Sequence, residues 1–265
     1  MEQELEVRVR AAVAGRRWIG AAWRLFSAQV GTWLVLAIIL LAISALAGRM
    51  QLISLLMNLI FPVFIGGLMI GAHQQAGGGR VEIAHLLAGF SGRFVDLLLL
   101  GLIQLLASLV VVVVAVVGVL LTIGLGVFEN PEGLGEISWM TWVLLALVLT
   151  VPMGAMIMAF WIAVPLVAVA GCKPWEAVER SFDAAWRNWR ALLLYGLLVT
   201  LLFLVAMIPL GLGLIVLVPV LVLTGYTACA DVFNLQGPAQ PMPNIANEPP
   251  ESTEEEHSDD GYRAD

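Results

Sequence analysis

Charge is what this sequence has least of. Asp, Glu, Lys and Arg make up 12% of its 265 residues, where soluble domains carry about 25%. None of them, and no His, stands at the centre of the long apolar runs. Ionisable groups inside a membrane mark ion pathways, proton relays and voltage sensors, so their absence argues against a proton-coupled or voltage-driven device. Cysteine and histidine are nearly as scarce, at two and three residues. Cys172 and Cys229 fall at a face expected to be cytoplasmic, where a disulfide is not expected, and both read as ordinary small residues. His73, His85 and Glu82 come nearest to a metal set, yet Gly77-Gly78-Gly79 separates the histidines and no further Cys or His adjoins them. No metal and no cofactor is therefore expected. The chain also lacks G-x-S-x-G, H-E-x-x-H and G-x-x-x-x-G-K-[ST], and nothing clusters a nucleophile with a base and electrostatic donors. It reads as non-enzymatic, with no nucleic-acid partner.

Apolar sequence is what the chain has in abundance. Hydrophobic residues make up 60%, gathered into uncharged runs at 31–48, 51–72, 97–128, 137–172, 191–208 and 210–230. About 20 apolar residues cross a hydrocarbon core, so six transmembrane helices are expected. The third and fourth runs exceed one straight span and must tilt, kink or protrude. Pro152 and Pro165 are the expected kink or exit points in the fourth. The first run ends in Ala45-Leu46-Ala47, which resembles a signal peptidase site. It is preceded by a long segment whose pattern recurs later in the chain, so it reads as a span.

Lys and Arg set the orientation. Arg8, Arg10, Arg16, Arg17 and Arg24 precede the first span; Arg80 and Arg93 follow the second; Lys173, Arg180, Arg187 and Arg190 follow the fourth. The opposite face has only Arg49, and its longer loop carries Glu129, Glu132 and Glu136. Both termini should be cytoplasmic. The formal net charge of −7 belongs to residues 236–265, which hold eight acids against Arg263 and are rich in Pro, Glu and Ser. Such composition reads as disordered, a solvating extension or an acidic tail for a protein partner. The expected organisation is an N-terminal cytoplasmic arm at 1–14, a six-span membrane domain at 15–235 and the acidic tail at 236–265.

A repeat lies in the loops. The stretch from Gly171, GCKPWEAVERSFDAAWRNW, aligns without a gap on GRRWIGAAWRLFSAQVGTW from Gly15, and a third copy begins at Gly79. In each, a glycine precedes a phenylalanine by eleven residues: Gly15 and Phe26, Gly79 and Phe90, Gly171 and Phe182. Offsets of 4, 7, 11, 15 and 18 from the glycine are apolar throughout. They read Ile19, Ala22, Phe26, Val30, Trp33; then Ile83, Leu86, Phe90, Phe94, Leu97; then Trp175, Val178, Phe182, Trp186, Trp189. Spacings of three and four place such residues on one helix face. In the Gly171 copy, Glu176–Arg180 and Asp183–Arg187 stand at i, i+4, and Pro174 suits a first turn. The pattern predicts amphipathic helices in the interface, each followed by a transmembrane hairpin; the other readings are an apolar face packed under the helix bundle and a ligand-binding loop. The fold class is thus all-α integral membrane, six spans as three parallel repeats at about 15–78, 79–170 and 171–235. The residues expected to touch lipid or a partner are Trp18, Trp23, Phe26, Trp33, Phe90, Phe94, Trp175, Phe182, Trp186, Trp189 and Arg187.

The second helix of each hairpin carries two small residues four apart: Gly67 and Gly71, Ala159 and Ala163, Gly225 and Cys229. Small residues at that spacing permit close helix approach in lipid. Asn58 and Gln104 are the most notable intramembrane polar residues. They are expected to form interhelical hydrogen bonds, with a substrate contact as the other reading.

The segments FPVFIGGLMIGAHQQAGGGRVEIAHLLAGF and FWIAVPLVAVAGCKPWEAVERSFDAAWRNWRALLLYG resemble an uncharacterised family of bacterial six-helix inner-membrane proteins. That family is akin to the YciC-like proteins and to the membrane domain of some glycerophosphodiester phosphodiesterases. The resemblance spans about residues 12–235 and implies the six-span fold and a bacterial inner-membrane location. It carries no catalytic residue onto this chain. The expected function is a platform in contact with the lipids of the anionic cytoplasmic leaflet, or docking a partner, in envelope organisation or as an accessory of a membrane complex. The alternative is a carrier or channel for a lipidic or weakly polar solute, its path lined by Asn58, Gln104 and the proline-broken fourth span.

Overall fold

A computed structural model describes residues 6–49, 51–124 and 139–235. The acidic tail and the loop with Glu129, Glu132 and Glu136 lie outside the described residues. Among the described residues all regular structure is helical: α1 (Ala14–Ala28), α2 (Val30–Ala47), α3 (Gln51–Ala76), a 3-10 helix (Ile83–Phe90), α4 (Phe94–Ile123), α5 (Trp139–Phe160), α6 (Ala163–Ala168), α7 (Pro174–Arg187), α8 (Trp189–Met207) and α9 (Leu214–Phe233). Six segments are long and apolar enough to cross a bilayer: α2, α3, α4, α5 with α6, α8 and α9. Uncharged runs of this length form helices because a helix satisfies its own backbone polar groups where no water can.

The long fourth run does break, at a place its prolines determine. Pro152 stands inside α5, which continues through it. The interruption falls at Trp161 and Ile162, just ahead of Pro165 in the first turn of α6. Proline lacks an N–H, and its ring collides with the carbonyl four residues back, here that of Trp161. The groups freed by the break are met by Ser181 of α7, which is fully buried. Its hydroxyl donates to Met158 O at 2.9 Å and accepts from Ile162 N at 3.2 Å.

Polar side chains at the junctions tie one part of the chain to the next. Gln29, between α1 and α2, accepts from Val81 N through Oε1 at 2.7 Å, ahead of the 3-10 helix. Arg93, ahead of α4, donates to Gly171 O at 3.1 Å, ahead of α7. Asn188, between α7 and α8, reaches back to the N-terminal arm: Oδ1 accepts from Arg10 N at 2.6 Å and Nδ2 donates to Arg8 O at 3.1 Å. Gln75 of α3 secures the α1–α2 junction from the other side, accepting from Trp33 Nε1 at 2.9 Å and donating to Leu25 O at 2.8 Å.

Packing follows the same order. The 3-10 helix lies along α3, α7 lies against α5 and α6, and α1 lies against α9. The last contact is fixed by Asp231, whose carboxylate accepts from Trp18 Nε1 at 2.9 Å and pairs with Arg10 at 2.9 Å. Thr227 donates to Trp18 O at 3.0 Å, and Arg8 N donates to Val232 O at 3.0 Å. Residues 6–13, read from sequence as an arm, are therefore stitched to the bundle. In the core, Trp18, Trp161 and Tyr195 meet with ring centroids 5.2, 6.4 and 6.2 Å apart.

Asn188 is 1% exposed. Asn188→Ala removes the partner of the Arg10 N–H and of the Arg8 carbonyl, at about 1 kcal/mol for each hydrogen bond lost. A lowered thermal midpoint in detergent is the expected result, whereas an equally conservative change at exposed Asn58 should leave it unmoved.

Candidate functional site: the surface helices

The short helices α1 and α7 and the 3-10 helix each stand immediately before a spanning helix and carry the residues that the repeat singled out. Their apolar stripes meet three different environments. In α7 the stripe turns outward: Trp175 is 61% exposed, Trp186 65% and Trp189, at the start of α8, 49%. The buried side is made of Ala177, Ser181, Ala184 and Ala185. Only side chains this small let α7 approach the α5–α6 break closely enough for Ser181 to reach it. Helix α7 therefore has three faces and not two. One packs on the bundle; a second is an aromatic edge in which Phe182 and Trp186 stack at 6.4 Å. The third is a charged edge holding Glu176–Arg180 and Asp183–Arg187, each at 2.8 Å. Trp175 bridges the aromatic and charged edges, donating to Glu179 at 2.6 Å. Arg190 lies 5.4 Å from the centroid of the Trp189 ring.

In the α1 copy Ala22, Phe26 and Trp33 of the stripe, and Trp18 beside it, pack inward on the bundle, while Val30 stays exposed. Trp18, Phe26 and Trp33 are buried, Trp18 and Trp33 because their indole N–H groups reach Asp231 and Gln75. Gly15 brings the start of α1 against the backbone of α8 at Ala191 and Tyr195. Trp23 alone of the α1 aromatics is exposed, by about half. The outward face comprises Arg16, Arg17, Gly20, Trp23, Arg24 and Ser27, all exposed.

The middle copy is not an amphipathic α-helix at all. It is the 3-10 helix Ile83–Phe90, opened by reciprocal hydrogen bonds between Glu82 and His85. The cause is its neighbour. Gly67 and Gly71, expected to bring two spans together, instead receive this segment: a Cβ at Gly67 would strike the backbone of His85, Leu86 and Gly89, and one at Gly71 the His85 side chain. Gly89 returns the fit, facing Val63 O and Gly67 N. His85 is further held by Gln74 at 2.7 Å. Phe90 is partly exposed and stacks on Phe94 at 5.6 Å.

The remaining sequence candidates separate cleanly. Ala163 and Cys229 are fully buried; Ala159 is half-buried; Gly225 lies 3.6 Å, from its would-be Cβ, to Met69. Asn58 is exposed and donates to Ser54 O of its own helix at 3.0 Å, so the expected interhelical bond is absent there. A carboxamide one turn beyond an acceptor carbonyl needs no second helix. Gln104 is half-buried on α4. No group of three or more His, Cys, Asp or Glu able to hold a metal occurs among the described residues. The junction residues Gln29, Gln75, Ser181 and Asn188 escaped the sequence reading. For Gln29, Gln75 and Asn188 the signal was position, an uncharged polar residue where an amphipathic stretch meets an apolar run, while Ser181, in the middle of α7, carried no such signal.

Two shallow depressions adjoin these helices. One, of about 360 Å³, is lined by Glu6, Val7, Glu179, Arg180, Asp183 and Arg187. The other, of about 440 Å³, lies over Gln74, Glu82, His85 and Ser91. Neither collects a nucleophile with a base. Cys172 is buried, and burial followed by the nearby Glu176 carboxylate pushes its thiol pKa up.

Maleimide should accordingly label Cys172 slowly at neutral pH in the folded protein and rapidly after denaturation, since only the thiolate reacts. A substitution pair tests the glycine fit. Gly67→Ala should cost at least about 1–3 kcal/mol in thermal stability as overpacking does. Gly20→Ala, with nothing within 4 Å of the added carbon, should stabilise α1 by about 0.5–1 kcal/mol.

No curated protein and no solved structure matches the chain. A family model does, over residues 13–247, described as a domain of unknown function, DUF7847. That match takes in α1, every spanning helix and the start of the tail, and the chain belongs to the DUF7847 family.

Proposed function

We propose that this chain is a non-enzymatic, multi-pass protein of the bacterial inner membrane, with both termini and its three surface elements on the cytoplasmic side. In this reading it is a lipid-contacting or partner-docking platform, acting in envelope organisation or as an accessory of a membrane complex. The observation that carries the reading is the exposed aromatic edge of α7 beside its charged edge. An interfacial helix needs that division: aromatic rings in the headgroup boundary, charges in water.

The reading includes three parallel units, each a surface element followed by two spans. Its support is the cyclic order of the ties. Gln29 holds the lead-in of the second unit, Arg93 that of the third, and Asn188 that of the first. Each surface element also packs on the second span of the preceding unit. The likeness to YciC-like proteins and to the membrane domain of glycerophosphodiester phosphodiesterases enters only as a likeness of scaffold. A carrier or channel draws less support. Trp18, Trp161 and Tyr195, one from each unit, meet in the core, and Asn58 faces outward.

The test replaces Trp175, Trp186 and Trp189 with Ala in the full chain. These side chains are exposed, so stability in detergent should stay within about 0.5 kcal/mol. Quenching of the remaining tryptophans by brominated lipid in vesicles, and the lipid retained on purification, should both fall. Undiminished lipid retention would count against the platform.

A further inference from the structure

Both arginines of α7 are paired with acids of their own helix, and those of α1 are not. Arg180 and Arg187 are matched to Glu176 and Asp183. On α1, Arg16, Arg17 and Arg24 are all exposed, and among the described residues none forms an ion pair. The helix itself contains no acid. The nearest carboxylate tied to α1, Asp231, is already engaged by Arg10 and Trp18. Helical spacing sets Arg17 and Arg24 seven residues apart on one flank of the outward face, Arg16 and Trp23, likewise seven apart, on the other, and Gly20 between them. The inward face is filled by Ala14, Gly15, Trp18, Ala22 and Phe26, so the arginines cannot turn into the bundle.

From this face we infer a binding surface for the headgroups of anionic phospholipids, with Arg16, Arg17 and Arg24 as its phosphate-binding groups. The inference rests on the membrane-platform reading and gives α1 and α7 different tasks within it. Three observations favour lipid over a soluble anion. Helix α1 passes through the single residue Gln29 into α2, a segment apolar enough to cross a bilayer, so Arg24 stands less than two turns from the start of that segment. Half-exposed Trp23, packed on Phe26 at 5.4 Å, is the kind of ring that settles at headgroup depth. Finally, Arg16 and Arg24 are separated by about 12 Å of helix at 1.5 Å per residue. They lie on an open face with no enclosing pocket, which suits several headgroups side by side better than one free phosphate. Guanidinium groups engage phosphate oxygens through paired N–H donors.

The experiment uses the full chain in detergent, titrated with phosphatidylglycerol and, separately, with phosphatidylcholine, and reads bound lipid per chain by native mass spectrometry. Each arginine near an anionic surface contributes roughly fivefold, so the three together should give a preference for phosphatidylglycerol on the order of a hundredfold at low salt. The preference should shrink as salt rises. Arg16→Gln, Arg17→Gln and Arg24→Gln combined should abolish most of it while leaving the thermal midpoint in phosphatidylcholine unchanged. A preference that survives the triple substitution overturns the assignment. So does displacement of phosphatidylglycerol by millimolar inorganic phosphate, which would make the site one for a free anion. Removal of residues 236–265 supplies the remaining arm. If that removal and the triple substitution lower the midpoint equally in phosphatidylcholine, the arginines are held by the acidic tail and the lipid assignment fails. The α7 tryptophan variant separates this outcome from failure of the platform itself: it should lose bound lipid of both kinds and keep the preference.

Discussion

A chain this poor in charge must account for its backbone wherever a helix stops, and the fold depends on how it does so. An unpaired N–H or carbonyl in an apolar setting costs several kcal/mol, whereas a made hydrogen bond returns only about 1. Helix ends are consequently the places where polar side chains gather. Ser181 closes the break before α6, Gln75 meets the Leu25 carbonyl at the end of α1, Gln29 meets the Val81 N–H ahead of the 3-10 helix, and Asn188 closes the junction of α7 with α8. Each of these side chains comes from, or reaches to, a different part of the chain. The same bonds that satisfy helix ends therefore set the order in which the helices pack.

Much of this architecture is legible in the sequence. The six uncharged runs become the six helical segments long and apolar enough to cross a bilayer, as length and apolarity favour. The recurrence of glycine and phenylalanine eleven residues apart locates α1, the 3-10 helix and α7 ahead of their spans. Less legible is which way each helix faces. Periodicity identifies a stripe on one side of a helix but not the side that becomes buried. In α1 the large residues turn inward because Trp18 and Trp33 find polar partners for their N–H groups. In α7 the small residues turn inward because a helix break must be reached. Both outcomes are compatible with the same spacing, and the deciding partners, Asp231, Gln75 and the Met158 carbonyl, are distant in sequence.

The middle copy makes the same point through backbone geometry. Its stripe is as regular as the others, yet it forms a 3-10 helix, since Gly67, Gly71 and Gly89 bring it against the backbone of α3. Small pairs in spans read naturally as contacts between spans. Here the partner is a segment outside the spans, and nothing local to Gly67 distinguishes the two cases. The candidate surface was therefore half legible: the α7 aromatics stand where the pattern placed them, while the arginines of α1 stand out only once Arg10, Arg93, Arg180 and Arg187 are seen to be paired with acids.

The closure of α1 on α9 also bears on how the chain is made. Trp18 and Asp231 are 213 residues apart, and Arg8 and Asn234 are 226 apart. Chains emerge N-terminus first, and contacts between such distant residues form last. Until α9 has been synthesised, the indole N–H of Trp18 and the backbone N–H of Arg8 lack the partners they have in the fold. Helix α1 is thus secured only after α9, the element that holds it through Asp231 and Thr227, has been made.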